Sequence, residues 1–568
     1  MISKSKNAQS LYVIKSVFVD GKRTTKVVEK LGTYDCLLEK LGGQNPIEWA
    51  KQYVKELNEQ EKKNNEDVLI RFSPAKQIPA NQQCSFNGGY LFLQKIYHEL
   101  GIDRIASSIS DKYKFTYDLD AILSRLLYGR ILFPSSKLST YQHASQFLEQ
   151  TDFDLHQVYR ALEVIAKETD FIQSRLYKNS LKVSKRNTGI LYYDCTNYFF
   201  EIEQESGLKQ YGHSKEHRPN PIVQMGLFMD GDGIPLAFEI TRGNTNEQTT
   251  LIPLEEKILA DFQQSKFIVC TDAGLASTAN RRFNDQNGRA FITTQSIKIL
   301  KKHLKEWALS PQEWRLPGNP KTFDLTELDE ERYREHTFYK ERWINENGLE
   351  QKLIVTYSLK YRDYRRSIRN GQIERAQRII DTEPAKIKKT SQNDYKRFIK
   401  KTACTPDGEV AQKEFYSIDT NVIAAEEVYD GFYGVCTNLE DDASEIMKVN
   451  QRRWEIEECF RIMKSEFKAR PVYLSRDDRI KAHFTTCFMA LILYRFLEKR
   501  LGGEYTCSQI IHGLREMNFH EVDREGYVPT YIRTDLTDTL HNTFGFRTDY
   551  QIIKNAQMKK IQKLSKKR

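Results

Sequence analysis

At residue 188 the hydrophobic pattern of the chain changes period, and no other feature limits the possible folds as much. Upstream, LDAILSRLLYGRILF and VYRALEVIAKETDFIQSRLY carry apolar residues at helical spacing within a stretch covering residues 87–182. Pro134-Ser135-Ser136-Lys137 breaks that stretch and restarts a helix. Downstream, GILYYDCTNYFFEIE is β-rich, and PIVQMGLFM and IPLAFEIT flank the hairpin signal Asp230-Gly231-Asp232-Gly233. A helix over 246–263, the buried strand KFIVCTD, the helix ASTANRRFNDQ and the strand RAFITTQ follow. Three strands, helix, strand, helix, strand predicts an α/β mixed sheet with helices packed on it.

A length of 568 residues calls for several domains. The expected parts are 1–80, an N-terminal hairpin and charged helix; 81–185, a helical DNA-binding domain; 186–295, the first part of the α/β core; 296–425, a charged, β-containing insertion with a basic helix from about Tyr361 to Ile380; 426–500, the second part of the core, with one long helix from about Ala443 to Phe467; and 501–568, a helical region. The hairpin strands LYVIKSVFV and TKVVEKL flank the turn signal Asp20-Gly21-Lys22. Lys15, Lys22, Arg23, Lys26 and Lys30 make either a solvated face or a DNA contact. The tail MKKIQKLSKKR holds six basic residues and no acid, which suggests phosphate contacts. Net charge is +10, a modest excess that favours a polyanionic partner. The nine cysteines include no CxxC pair, which argues against a zinc knuckle or a disulfide framework and suits a reducing cytoplasm. Phe484–Tyr494 is the most apolar stretch; Arg495 interrupts it, and it reads as a buried helix.

Two apolar strands run into an aspartate. In ILYYDCT, Ile190, Tyr192, Asp194 and Thr196 share one face of the strand. In KFIVCTDAG, Asp272 ends the strand before Ala273-Gly274 turns the chain. Alone, Asp194 reads more readily as a strand-end residue capping the next turn, and Asp272 as a cap of the helix at Leu275, but that reading is weaker for both together. In the expected strand order, however, the fourth strand lies beside the first, so the two carboxylates become neighbours. Carboxylates that close repel unless a divalent cation sits between them. The helix NQRRWEIEECFRIMKSEF offers four glutamates. At about 100° per residue, with Arg453 as origin, Glu457 lies near ~40° beside Lys464 at ~20°, bordering the apolar stripe of Ile456, Met463 and Phe467. Glu455, Glu458 and Glu466 are expected on the solvent side, and a surface Arg453–Glu457 pair is the plain alternative. Three carboxylates and no Cys/His set suit hard cations with oxygen ligands, two Mg²⁺ or Mn²⁺ ions able to clamp an in-line phosphoryl displacement.

With these residues in view, the chain resembles insertion-sequence DDE transposases with an RNase H-like catalytic core, in the IS-four-like group. That group carries Y-x2-R-x3-E-x6-K on the helix bearing the catalytic Glu; here the spacing reads Asn450-x2-Arg453-x3-Glu457-x6-Lys464, with Asn450 at the Tyr position. The segments YYDCT, TDAGLAS, GNTNEQTT, RPVYLSRDDRIKAHF, ILFPSSKLST and the hairpin ending KLG also resemble the family, so the likeness extends over most of the chain. It implies an endonuclease and strand-transfer enzyme with Asp194, Asp272 and Glu457 as catalytic metal ligands and a β-rich insertion between the second Asp and the Glu. It also implies that Arg453 and Lys464 contact phosphates near the cut. Lys215 and Arg218, in HSKEHRPN, would act likewise, or belong to a solvated loop. Implied partners are double-stranded DNA, both transposon ends and target, and a second copy in a DNA-bound homodimer, in the bacterial cytoplasm and away from membranes. End recognition is expected from residues 1–182. An RNase H-like nuclease without strand transfer, or a non-catalytic DNA-binding relic, are the competing readings.

Overall fold

The computed structural model describes residues 1–4, 9–19, 22–64, 68, 70, 73–75, 77, 80–382, 394–404 and 410–568, so the hairpin turn residues Asp20 and Gly21 lie outside the described residues. The chain divides into two compact units, Met1–Gln82 with Val522–Gly526, and Gln83–Glu521 with Tyr527–Arg568. In the first unit, strands Ile2–Lys4, Gln9–Val19 and Lys22–Thr33 form an antiparallel sheet, followed by helices Tyr34–Lys40 and Pro46–Asn64. Among its described residues Leu11, Val13, Leu37 and Pro46 are buried, whereas Lys15, Lys26 and Lys30 are exposed.

The second unit is built on one ten-stranded sheet. Its strands are β1 (Ile190–Phe199), β2 (Ile222–Asp230), β3 (Pro235–Arg242), β4 (Ile268–Thr271), β5 (Ala290–Gln295), β6 (Trp314–Leu316), β7 (Asn319–Phe323), β8 (Thr337–Glu346), β9 (Leu349–Ser358) and β10 (Phe432–Thr437). Their order across the sheet is β7-β6-β8-β9-β10-β5-β4-β1-β2-β3. β1, β2 and β3 are antiparallel neighbours, and β4 joins β1 in parallel, as does β5 with β4. The five core strands therefore stand in the order 3-2-1-4-5, the RNase H-like arrangement, with the fourth strand beside the first.

The segment expected as a separate insertion instead lengthens the sheet. β10 pairs antiparallel with β5, and β9 with β10, so β6 to β9 continue the core outward. Trp314, Phe338, Leu353 and Tyr357 bury a core of their own there. A long basic helix, α1 (Leu359–Thr382), leaves β9, and its buried Arg369 is clamped by Asp430 at 2.6 and 2.8 Å.

The helical region is likewise not closed within residues 81–185. Its centre is α2 (Asp477–Arg500), 24 residues on the far side of the sheet in sequence, against which helices Tyr90–Glu99, Leu119–Leu132 and Leu155–Lys167 pack. By length and composition α2 could cross a membrane, but 94% of its apolar window is buried within the fold. The basic tail is also structural. Helix Asn555–Ser565 buries Met558 and Ile561, Ser565 Oγ donates to Gln94 at 2.6 Å, and Lys566 pairs with Glu149 at 2.6 Å. Met558 and Ile561 recur at helical spacing, and the face they form is buried in the helical core.

Candidate active site

β1 sends alternate side chains to opposite faces. Leu191, Tyr193 and Cys195 join the core over helix Leu251–Asp261, whereas Tyr192 and Tyr198 join the core shared with residues 443–467. Asp194 belongs to the second set. On that face the Tyr192 hydroxyl donates to the Val449 carbonyl at 2.8 Å, and Lys464 Nζ donates to the Thr196 hydroxyl at 2.6 Å.

One oxygen of Asp194 accepts the Cys195 N–H at 2.7 Å. Asp272 follows directly on β4, and one of its oxygens accepts the Leu275 N–H at 3.0 Å, capping the short turn Ala273–Leu275. It is thus a cap as well as a site candidate. The second oxygen of each carboxylate meets no protein donor among the described residues. Burial and the facing Asp272 push the Asp194 carboxyl up to about 6, against the pull of Lys215 and Arg453.

The helix bearing Glu457 differs from the single long helix expected. Helix Ala443–Gln451 stops, a turn at Arg452-Arg453 intervenes, helix Trp454–Arg461 begins, and Ile462–Glu466 widens into a π turn, a feature frequent at functional sites. Glu457 is exposed and makes no hydrogen bond or ion pair among the described residues. Glu458 pairs with Arg461 at 2.6 Å and Glu466 reaches the same arginine at 3.7 Å. Glu455, expected in solvent, is buried instead, held by Arg452 at 2.8 Å and Arg495 at 3.1 Å. The sheet is not this helix's sole packing partner: α2 covers a second face, and Glu455 meets Arg495 there.

The cations converge on the aspartates. Arg453 donates to the Thr294 hydroxyl on β5 at 3.0 Å, and its charge acts on Asp194. Lys215 donates to the Cys195 carbonyl and pairs with Glu247 at 3.3 Å. Burial and the neighbouring Lys215 charge lower Lys464 to about 8. Arg218 stands farther along β1, stacked over Phe199 at 4.2 Å. Two parts of this arrangement escaped sequence reasoning. Glu216, between the two loop cations, lies 3.9 Å from Lys464 and 3.8 Å from Arg218 and also pairs with Arg470. The Tyr433 hydroxyl on β10 meets the Thr294 hydroxyl at 2.6 Å and Asn450 Nδ2 at 3.3 Å, so residues from three elements fix Arg453. Glu216 was readable in HSKEHRPN as the acid among cations; Tyr433 carried no local signal.

The donors suit a hard divalent cation: Asp194 and Asp272 each keep one oxygen without a protein donor among the described residues, and the charge of Asp272 acts on Asp194. The three carboxylates do not converge to ligand spacing. Among the described residues, Asp538, His541 and Asp549 alone form a trio of possible ligands within 4.8 Å. Arg533 and Arg547 already neutralise those two aspartates, at 2.8 and 2.6 Å, which makes that trio an ion-pair network.

The family model for the transposase DDE domain matches residues 198–493, a little over half of the chain; Asp272 and Glu457 lie within that span and Asp194 just ahead of it. No curated protein matches the sequence. Among solved structures, a piggyBac transposase synaptic complex with hairpin DNA is similar at 7% identity and TM-score 0.37, over 84% of this chain and 90% of that one. A Mos1 transposase paired-end complex with left transposon end is similar at 13% identity and TM-score 0.13, over 44% and 68%.

Proposed function

The chain belongs to the DDE-domain transposase family, and we propose on that footing that it binds the ends of its own insertion sequence, cleaves the DNA there and joins the 3′ ends to target DNA. One observation carries this reading: Asp194 on β1 and Asp272 directly after the adjacent parallel β4 each keep an unpaired oxygen, and the charges of Lys215, Arg453 and Lys464 act on Asp194. Asp194, Asp272 and Glu457 would hold two Mg²⁺ or Mn²⁺ ions, which supply Lewis-acid polarisation of the phosphoryl oxygens and stabilise the attacking and leaving oxygens. Asp194 must give up its proton to serve as a ligand, which its pKa near 6 permits at neutral pH. Arg453, pinned by Thr294, and Lys464, pinned by Thr196, orient the scissile strand through its phosphates. Lys215 and Arg218 extend that contact along the strand.

The spacing of Arg453, Glu457 and Lys464 favours the IS-four-like group within the family. Double-stranded DNA is the partner, two copies act together on paired ends, and the bacterial cytoplasm is the compartment. The test is incubation of full-length protein with DNA carrying the element's flanks, a supercoiled target and Mg²⁺. Cuts at the element's boundaries and joined products support the proposal. Boundary cuts without joined products would leave a nuclease, and cutting unaffected by Asp194→Ala would remove the site.

A further inference from the structure

A cavity of about 400 Å³ opens between the helical layer and the segment that follows the Glu457 helix, away from the carboxylates. Its size is that of a small-molecule site. Lys137 lines it, only 6% exposed, and its ammonium makes no hydrogen bond or ion pair among the described residues. Arg130 lines it too, 4% exposed, bonded only to carbonyls: those of Phe467 at 3.0 Å and Ser135 at 3.2 Å, with its Nε unpartnered. Neither cation has a carboxylate partner among the described residues. Two buried cations without a counter-charge are costly to the fold unless an anion completes them. The fold already strains against the charge, since burial and Arg130 lower Lys137 to about 7.

The remaining walls set apolar and aromatic side chains, Pro471, Leu138, Tyr159 and the largely exposed ring of Tyr473, beside Lys468, Arg470 and His483. An inorganic anion would leave them unused, whereas a phosphate ester with a flat ring would use both halves of the cavity. The wall is also tied to the catalytic strand. Val472 N–H donates to the Phe199 carbonyl at 3.1 Å, five positions along β1 from Asp194, roughly 17 Å at the strand repeat.

We propose that this cavity binds a nucleoside phosphate, with the phosphate against Lys137 and Arg130 and the base against the Tyr159 and Tyr473 wall. The ligand is either a free mononucleotide or an unpaired nucleotide of a DNA strand, and the two sources can be separated. Binding needs neither divalent ion nor cleavage, so the proposal stands or falls apart from the catalytic reading.

The experiment is calorimetric titration of metal-free full-length protein with dAMP, dTMP and inorganic phosphate, beside competition gel shifts using a blunt duplex and the same duplex with a three-nucleotide overhang. Either mononucleotide should bind at least tenfold more tightly than phosphate, or the overhang duplex at least fivefold more tightly than the blunt one; the arm that responds identifies the source. Lys137→Met should abolish the preference without lowering the melting temperature, because it removes an uncompensated buried charge. Tyr473→Ala, at the exposed rim and losing only the hydrogen bond to Glu201, should weaken it about threefold or more. Equal affinity for phosphate and mononucleotides with no overhang preference would overturn the proposal, as would a preference that survives Lys137→Met.

Discussion

Lys464 Nζ stands 2.6 Å from the Thr196 hydroxyl, two residues along β1 from Asp194. This bond joins the turn after Glu457 to the strand that carries the first aspartate, and it holds a cation where a phosphate would pass. Lys464 is also lowered to about 8, so its charge is present at neutral pH and lost as pH rises through that value. Affinity for DNA should therefore fall between pH 7 and 9, beyond any change in a Lys464→Arg variant, whose guanidinium stays charged. Fluorescence anisotropy at fixed salt measures this. Parallel pH profiles for both proteins would show that Lys464 makes no contact.

Asp194→Ala, Asp272→Ala and Glu457→Ala should each reduce end cleavage by at least a thousandfold and change DNA binding less than threefold, since carboxylates that hold cations do not hold phosphates. Glu458→Ala, which removes only a partly exposed pair with Arg461, should cut normally. Gel assays of cleavage and binding on the same preparations decide this, and loss of cleavage in Glu458→Ala with retention in Glu457→Ala would reassign the third carboxylate.

Glu455→Ala should fail differently. It breaks a buried contact with Arg495 while leaving Arg495 its pair with Glu498 at 2.5 Å. A cost of about 2–3 kcal/mol is expected, below the full value for an orphaned buried charge. Denaturant unfolding should show the loss in midpoint, and a variant as stable as the parent would mean that Arg495 is satisfied without Glu455.

Glu216 pairs with Lys464, Arg218 and Arg470, cations assigned to DNA in the proposed function. A phosphate bound there would have to displace it. Glu216→Gln should strengthen binding to DNA of any sequence about two- to fivefold and steepen the salt dependence, because freed cations release more counterions on binding. An unchanged slope in salt-titrated gel shifts would place these cations off the DNA path.

Removal of residues 558–568 should destabilise the protein rather than merely weaken DNA binding. The tail buries Met558 and Ile561, and Lys566 and Arg568 are committed to Glu149 and Asp103 at 2.6 and 2.5 Å. Differential scanning calorimetry should show a lower transition temperature, and an unchanged transition with a flatter salt dependence would return the tail to the DNA.

By itself the sequence determined the α/β strand order, the aspartates at β1 and β4, and the spacing of Arg453, Glu457 and Lys464, because each is written in local periodicity or in a fixed offset along one helix. Only the tertiary structure decided what lies on the far side of each element. Glu455 is buried because α2, more than twenty residues later, covers a second face of its helix. Residues 314–358 extend the core sheet because β10 leaves an open edge for β9, a pairing no local pattern records. Tyr433 reaches Thr294 and Asn450 from another strand, and Arg130 meets Lys137 at a cavity walled by Pro471 and Tyr473. Such contacts join residues tens to hundreds of positions apart, and their energy comes from burial and pairing that exist only once the chain has closed on itself.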